Sequence, residues 1–355
     1  MPVPWVRKAY ARPAEKLPVH GHIRWGKAHK VTAVMDLKKW FLTLAAALSG
    51  ALALLLLFRE SVAAQGVRDG IELCLTSVIP ALFPFFAAAQ LLVSLGAAEV
   101  LGRAAGPLFR RLFGIGGAGA SAFLLGLIGG YPVGAKTVES LVRQGLLTPD
   151  EGTLLLTFCN NAGPAFILGI AGSGVFQSAR AGVWLYLIHA GAATAVGLVF
   201  CFMRKCIMKP ETSCFVHVSG SSCNSPAAGR RKPSPSPAAA FISAVRGGVT
   251  AMAGVCGFVI FFLVVLRLAE SFLGPLPAAA AGFAELTNGI LRLTADRSGF
   301  ITAAALLGWG GLSVHCQTAT VLSGSGVSLR WYLPAKAAQA LLSAAMAAAV
   351  WRWVL

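Results

Sequence analysis

Residues 121–137, SAFLLGLIGGYPVGAKT, return in altered form at 302–318, TAAALLGWGGLSVHCQT. A shift of 181 pairs Leu125 with Leu306, and Gly129 and Gly130 with Gly310 and Gly311. It also pairs Val133 with Val314, Thr137 with Thr318, Leu141 with Leu322 and Gly145 with Gly326. An earlier block repeats at a shift of 178, pairing Val67, Arg68 and Gly70 with Val245, Arg246 and Gly248. Phe83, Leu95 and Gly96 then fall on Phe261, Leu273 and Gly274. Two blocks in one order at nearly one shift point to a duplicated unit. The expectation is two copies, each holding a glycine-broken apolar hairpin. Broken elements in duplicated membrane proteins are where transporters bind their solutes.

The 355 residues are 56% hydrophobic and 12% charged, with mean hydropathy +0.72. A soluble domain carries about 25% charged residues. Several apolar stretches exceed the ~18 residues that mark a membrane-spanning segment. They are continuous rather than alternating, which favours helices over a β-barrel. The fold expected is an all-α integral membrane protein: a polytopic bundle of two inverted repeats, each with a re-entrant Gly-rich hairpin.

The net charge of +17 is concentrated. Segments 1–39, 96–116 and 204–232 hold 18 of the 30 Lys and Arg residues. Basic loops stay on the cytoplasmic side, so the charge reads as topology and as attraction to anionic lipid in the bilayer. A nucleic-acid partner is not expected, because the basic segments lack interleaved aromatics on a folded platform. The expected division is a basic cytoplasmic tail over 1–39, a first membrane unit over 40–203 with its repeat at about 60–175, a flexible basic cytoplasmic linker over 204–239, and a second membrane unit over 240–355. The tail does not read as a secretory signal, since its apolar run begins only at Trp40 and is long enough to remain as a span. The protein is expected in the cell membrane with tail and linker inside.

Four of eight cysteines, Cys201, Cys206, Cys214 and Cys223, lie near His217, but at spacings no common zinc ribbon uses. Neither a metal nor a cofactor is expected.

Along the chain, a first helix is read at 40–58 and a second at about 70–95, kinked by Pro80 and Pro84. Residues 117–142 read as a re-entrant hairpin with its tip at Gly129, Gly130, Tyr131 and Pro132. Thr148 caps the next helix, with Pro149 at its first position and Asp150 and Glu151 against the dipole. That helix is interrupted at Asn160-Asn161-Ala-Gly163-Pro164. Spans are read at 181–203, about 241–270 and 333–353, with a shorter apolar stretch at 276–293 and a second hairpin at 299–323. Counted in this way, helix two runs inward and its partner 241–270 runs outward, which is the basis for inversion.

Polar groups at membrane depth mark functional positions by default. Asn160 and Asn161 precede the Gly163-Pro164 break, where amides can hold hydroxyls, bases or a cation's shell. Lys136 follows the first tip and could pair with Glu139 or attract an anionic solute. In the second repeat His315, Cys316 and Gln317 stand where the first has Gly134, Ala135 and Lys136. Glu285 and Asn288, three apart on one helix face, could hold a proton or Na+ for coupling. His315 and His189 read more simply as packed neutral imidazoles. GGYPVGAKT approaches the phosphate-loop spacing, but Ala135 intervenes before Lys136 and no strand precedes it, so nucleotide hydrolysis is rejected. No hydrolase motif appears, and the protein is not expected to be an enzyme.

The strings GGYPVGAKT, NNAGPAF and GGLSVHCQ together resemble the sporulation integral membrane protein family called YlbJ, over about residues 40–205 and 240–353. That family belongs to a broader group carrying the nucleoside recognition, or Gate, domain. The group also includes spore maturation proteins, the membrane part of ferrous iron transporters and concentrative nucleoside transporters. The resemblance implies a multipass membrane protein of spore-forming bacteria needed for spore envelope (cortex) formation. It implies no particular substrate. The long basic tail and the Cys/Ser/Pro-rich linker depart from the family pattern. The function expected is a transporter-like permease for a small solute, such as a nucleoside-like one, with Na+ or H+ coupling. The rival is a non-transporting scaffold for envelope assembly that works with a second copy or with other sporulation membrane proteins.

Overall fold

The computed structural model describes residues 25–207 and 236–354, so the tail before Trp25 and most of the expected linker, with Cys214, His217 and Cys223, lie outside the described residues. The chain divides into two units at Phe58. The first contains one helix, α1 (Trp25–Phe58), which begins well before the expected position 40. Everything else belongs to the second unit, which is helical throughout its described residues.

That unit opens with one long helical path: α2 (Glu60–Leu73), a π-helical turn over Cys74–Val78, and α3 (Ile79–Ser94). The path starts ten residues before the expected position 70. Pro80 offers no N–H to the Thr76 carbonyl, and the π turn sits where that donor is lost. The path packs antiparallel on α9 (Pro237–Leu273). Gly66 lies on Val264, Gly70 on Ile260, and Gly248 on Ala87. At Gly66 and Gly70 an added Cβ would come within 2.8 Å of the partner's Cα, so the two backbones touch. Small residues at such crossings allow the dispersion contacts that hold helices together in lipid, where apolar burial supplies no drive.

The amphipathic α4 (Ala97–Phe113) follows and meets α5 (Gly117–Gly129) at a bend of 100°. Phe109 and Phe113 on α4 join Phe123 and Phe158 in one aromatic cluster, with Phe113 stacked on Phe158 at 4.8 Å. α5 and α6 (Val133–Arg143) form the expected hairpin. Eight residues of continuous helix would separate Gly126 from Gly134 by about 12 Å. Instead, a Cβ on Gly126 would stand 3.2 Å from the Gly134 Cα. The reversal is made at Gly130, whose φ of 75° and ψ of −171° only glycine adopts readily.

α7 (Pro149–Cys159) starts on the expected capping box: the Glu151 N–H donates to Thr148 Oγ1, and the Thr148 N–H donates to the Glu151 carboxylate. It ends at Asn160, and after Gly163-Pro164 the chain resumes as a π-helical segment, Ala165–Val175. α8 (Ala179–Ile207) completes the first half.

The second half departs from expectation. α10 (Ala278–Ala284) and α11 (Leu286–Leu291) are two short helices folded back on each other at Glu285, with Gly282 against Gly289. This is the second hairpin. The stretch read as a hairpin at 299–323 is instead a broken span, α12 (Arg297–Trp309) and α13 (Gly311–Leu322), which passes on without reversing. The 181-residue shift places Leu307 and His315 where the first hairpin has Gly126 and Gly134. Those side chains deny the two arms the close approach that reversal needs. α12 is capped by Asp296, which accepts from the Gly299 N–H and the Ser298 hydroxyl; these hold its carboxyl below the usual carboxylate range. α14 (Tyr332–Val350) closes the unit.

Both halves thus carry a hairpin crossing at a glycine pair, followed by a broken helix. Each hairpin tip rests on a glycine of the break that follows it: Gly130 on Gly163, and Leu286 on Gly311. Among the described residues, five helical stretches are long and apolar enough to cross a membrane: 60–92, 179–204, 237–273, 297–322 and 332–353. Their outer faces expose large apolar side chains such as Leu187, Phe202, Phe261 and Leu341. Such a surface suits lipid.

Candidate functional site

Both tips and both breaks converge on one small cavity. One wall is the first tip, Gly129, Gly130 and Tyr131, with Ala162 and Gly163 of the α7 break. The facing wall is Glu285, Leu286 and Thr287 of the second tip, with Ser313, Val314 and Gln317 of α13. Leu82, Phe85 and Phe86 of α3 and Val255 and Val259 of α9 close it with apolar surface. Its polar equipment is therefore sparse: a carboxylate, two hydroxyl side chains, one amide and a phenol ring. A mostly apolar pocket with a few convergent polar groups is the usual make-up of a small-molecule site.

Two of these groups differ in how far they are engaged. Glu285 is 2% exposed, and its carboxylate accepts from the Thr287 N–H at 3.1 Å and the Asn288 N–H at 2.7 Å, capping α11. Gln317 donates only a long 3.4 Å bond to the Ser313 hydroxyl, and its buried Oε1 has no protein partner. A buried amide oxygen without a donor is costly, and this one belongs to a residue on the cavity wall.

The remaining sequence candidates lie elsewhere. Asn160 and Asn161 are fully buried behind the cavity wall rather than on it. Asn160 Oδ1 accepts from the Ala135 N–H of the hairpin, and its Nδ2 donates to the Thr318 hydroxyl at 2.8 Å and the Tyr332 hydroxyl at 3.1 Å. It ties the first hairpin, the first break and two second-half helices together. Asn161 Nδ2 donates to the Phe158 carbonyl. His315 packs edge-on against Trp309 and Tyr332, with Nδ1 3.3 Å from the Tyr332 hydroxyl. Asn288 is half-buried outside the cavity, and Pro164 starts the π-helical segment. Lys136 is exposed on the outer face of α6, and Glu139 pairs with Arg143 instead. Pro132, after a cis Tyr131–Pro132 peptide, caps α6. Among the described residues no three His, Cys, Asp or Glu side chains gather as a metal site would require.

The sequence reading passed over Lys336 and Gln339, both fully buried on α14. Lys336 Nζ donates to Gln339 Oε1 at 2.9 Å, Tyr131 Oη at 3.4 Å and Asn161 Oδ1 at 3.5 Å. Gln339 Nε2 donates to Asn161 Oδ1 at 3.2 Å and to the His189 carbonyl. His189, also set aside, accepts the Ala162 N–H on Nε2 and so satisfies a donor freed by the break. The signal for Lys336 was a single cation in the apolar run YLPAKAAQALLS, with Gln339 and Ser343 one and two turns on along the same face.

The long apolar helices are those of an integral membrane protein, and residues 75–177, from the π turn beside α3 to the end of the first broken helix, match the nucleoside recognition (Gate) family. The chain is 25% identical over 323 residues to the sporulation integral membrane protein YlbJ of Bacillus subtilis (strain 168), an alignment covering 81% of this chain and 77% of that protein. No solved structure matches it.

Proposed function

We propose that the protein is a permease for a small polar solute and acts in sporulation, as the name of its Bacillus relative says of that protein. It works as a carrier rather than an enzyme. The observation that carries this reading is the cavity at the meeting point of two hairpin tips and two broken helices, with the unpartnered Gln317 amide oxygen on its wall. Unwound breaks facing a central cavity are the parts from which secondary transporters build solute sites. With the Glu285 carboxylate already engaged by the Thr287 and Asn288 N–H groups, an uncharged amide, two hydroxyl side chains and an aromatic ring suit a neutral solute with hydrogen-bonding edges, such as a nucleoside.

The antiparallel packing of α2–α3 on α9 supports an inverted arrangement of the two halves, because these are the segments paired by the 178-residue shift. On that arrangement both hairpins are re-entrant, the basic tail and linker lie on the cytoplasmic side, and the halves rock about the cavity. The service to the spore is envelope (cortex) formation. Untargeted metabolite profiling of spores and mother cells, comparing a deletion strain with strains restored by wild type or Gln317→Ala, tests the reading. A small polar solute should be displaced between compartments in the deletion, restored by wild type and not by the variant. An unchanged solute profile alongside failed envelope assembly would contradict the permease and leave a scaffold.

A further inference from the structure

The Lys336 side chain is fully buried within the helix bundle with no carboxylate partner among the described residues. Three neutral oxygens surround it, and each is aimed at Nζ because its own donor is engaged elsewhere. Asn161 gives its amide N–H to the Phe158 carbonyl, so Oδ1 must face the lysine. Gln339 gives its amide N–H groups to His189 and Asn161, so Oε1 must face the lysine. Tyr131 gives its hydroxyl proton to the Leu307 carbonyl, so its lone pairs remain for Nζ. The Tyr131 ring also lies 5.4 Å from Nζ, within cation–π range. Three acceptors match the three donors of a protonated ammonium, which has no lone pair. A neutral amine would turn its lone pair onto one of these oxygens.

We propose that Lys336 is the protein's built-in cation, fixed at the α7 break in the position a free monovalent cation would otherwise have to fill. The oxygens come from the first hairpin tip, the α7 break and α14, so the charge joins three parts that a cation-coupled carrier would need to assemble with Na+. Two further groups at this junction, the Asn160 amide of the break and Nε2 of His189 on α8, are already spent on Thr318, Tyr332 and the Ala162 N–H. The protein therefore needs no Na+ to close this junction, and solute movement does not depend on a Na+ gradient. The last clause rests on the permease reading; the cation site itself does not.

The test is thermal unfolding of the detergent-purified full chain, with NaCl titrated against choline chloride at constant ionic strength. Wild type should show the same Tm across the titration. Lys336→Ala, which leaves three oxygens around a hole, should melt lower in choline and recover saturably as NaCl rises. Lys336→Met, whose side chain fills the hole without charge, should melt lower and ignore NaCl. A saturable rise of wild-type Tm with NaCl, or no Na+ response in Lys336→Ala, would overturn the proposal. Should Lys336→Ala not fold, the wild-type titration decides alone: a flat curve supports the built-in cation and a saturable rise refutes it. Because the measurement needs no solute, it can fail while the permease stands, and the metabolite profile can fail while the cation site stands.

Discussion

The two halves solve one construction problem with opposite outcomes at the break. In the first, the amides freed at Asn160 and Asn161 turn inward and are consumed by Thr318, Tyr332, Phe158, Lys336 and Gln339. In the second, Gly310 and Gly311 take left-handed conformations with φ of 92° and 85°, and α13 then turns Ser313 and Gln317 toward the cavity. The first break is a sealed joint and the second an open wall. A polar residue at a helix break is thus no guide to ligand contact by itself; what matters is whether neighbouring helices have already spent its hydrogen bonds.

The largest expected effect comes from spoiling the crossings that both halves share. A Cβ on Gly126 would collide with the Cys159 carbonyl oxygen, and one on Gly289 with the Gly282 Cα. Both are backbone atoms that cannot swing aside. Gly126→Val and Gly289→Val should each abolish the monodisperse peak in size-exclusion chromatography. Survival of one variant alone would show that its hairpin does not hold the fold.

A smaller effect separates the joint from the wall. Asn160→Ala leaves the Tyr332 and Thr318 hydroxyls and the Ala135 N–H short of partners and should lower stability by about 1–3 kcal/mol. Gln317→Ala removes an amide whose oxygen has no partner and should lower stability less than Asn160→Ala does, while failing to restore the solute profile. Equal destabilisation by the two would erase the distinction. Smaller still, Thr148→Ala dismantles the capping box of α7 at a cost of about 1 kcal/mol, read as a modest fall in Tm. The Asp296 cap of α12 should be the slightest. Its folded pKa is lowered, so its contribution is present above the unfolded pKa and disappears as pH falls through the folded one. Asp296→Asn should flatten that acid limb.

Local chemistry was legible in the sequence. Thr148, Pro149 and Glu151 announce the start of α7, and Gly129–Pro132 and Asn160–Pro164 announce their breaks, because each signal acts within a few residues. The second hairpin was hidden because its whole length, 278–291, is shorter than a span, while the better-looking glycine pair at 310–311 lies in a helix that goes straight on. Glycines permit a reversal; the small partners seven or eight residues apart decide it. Lys336 and the sealing of Asn161 depend on contacts across more than 170 residues, which no local pattern encodes.

The contrast between a sealed first break and an open second one is tested most directly by thiol labelling in native membrane vesicles. In a cysteine-free background, Gln317→Cys should react with a membrane-impermeant maleimide from one side, and Asn161→Cys should stay unlabelled until the protein is denatured. Equal labelling of both, or labelling of the Asn161 position alone, would contradict the account.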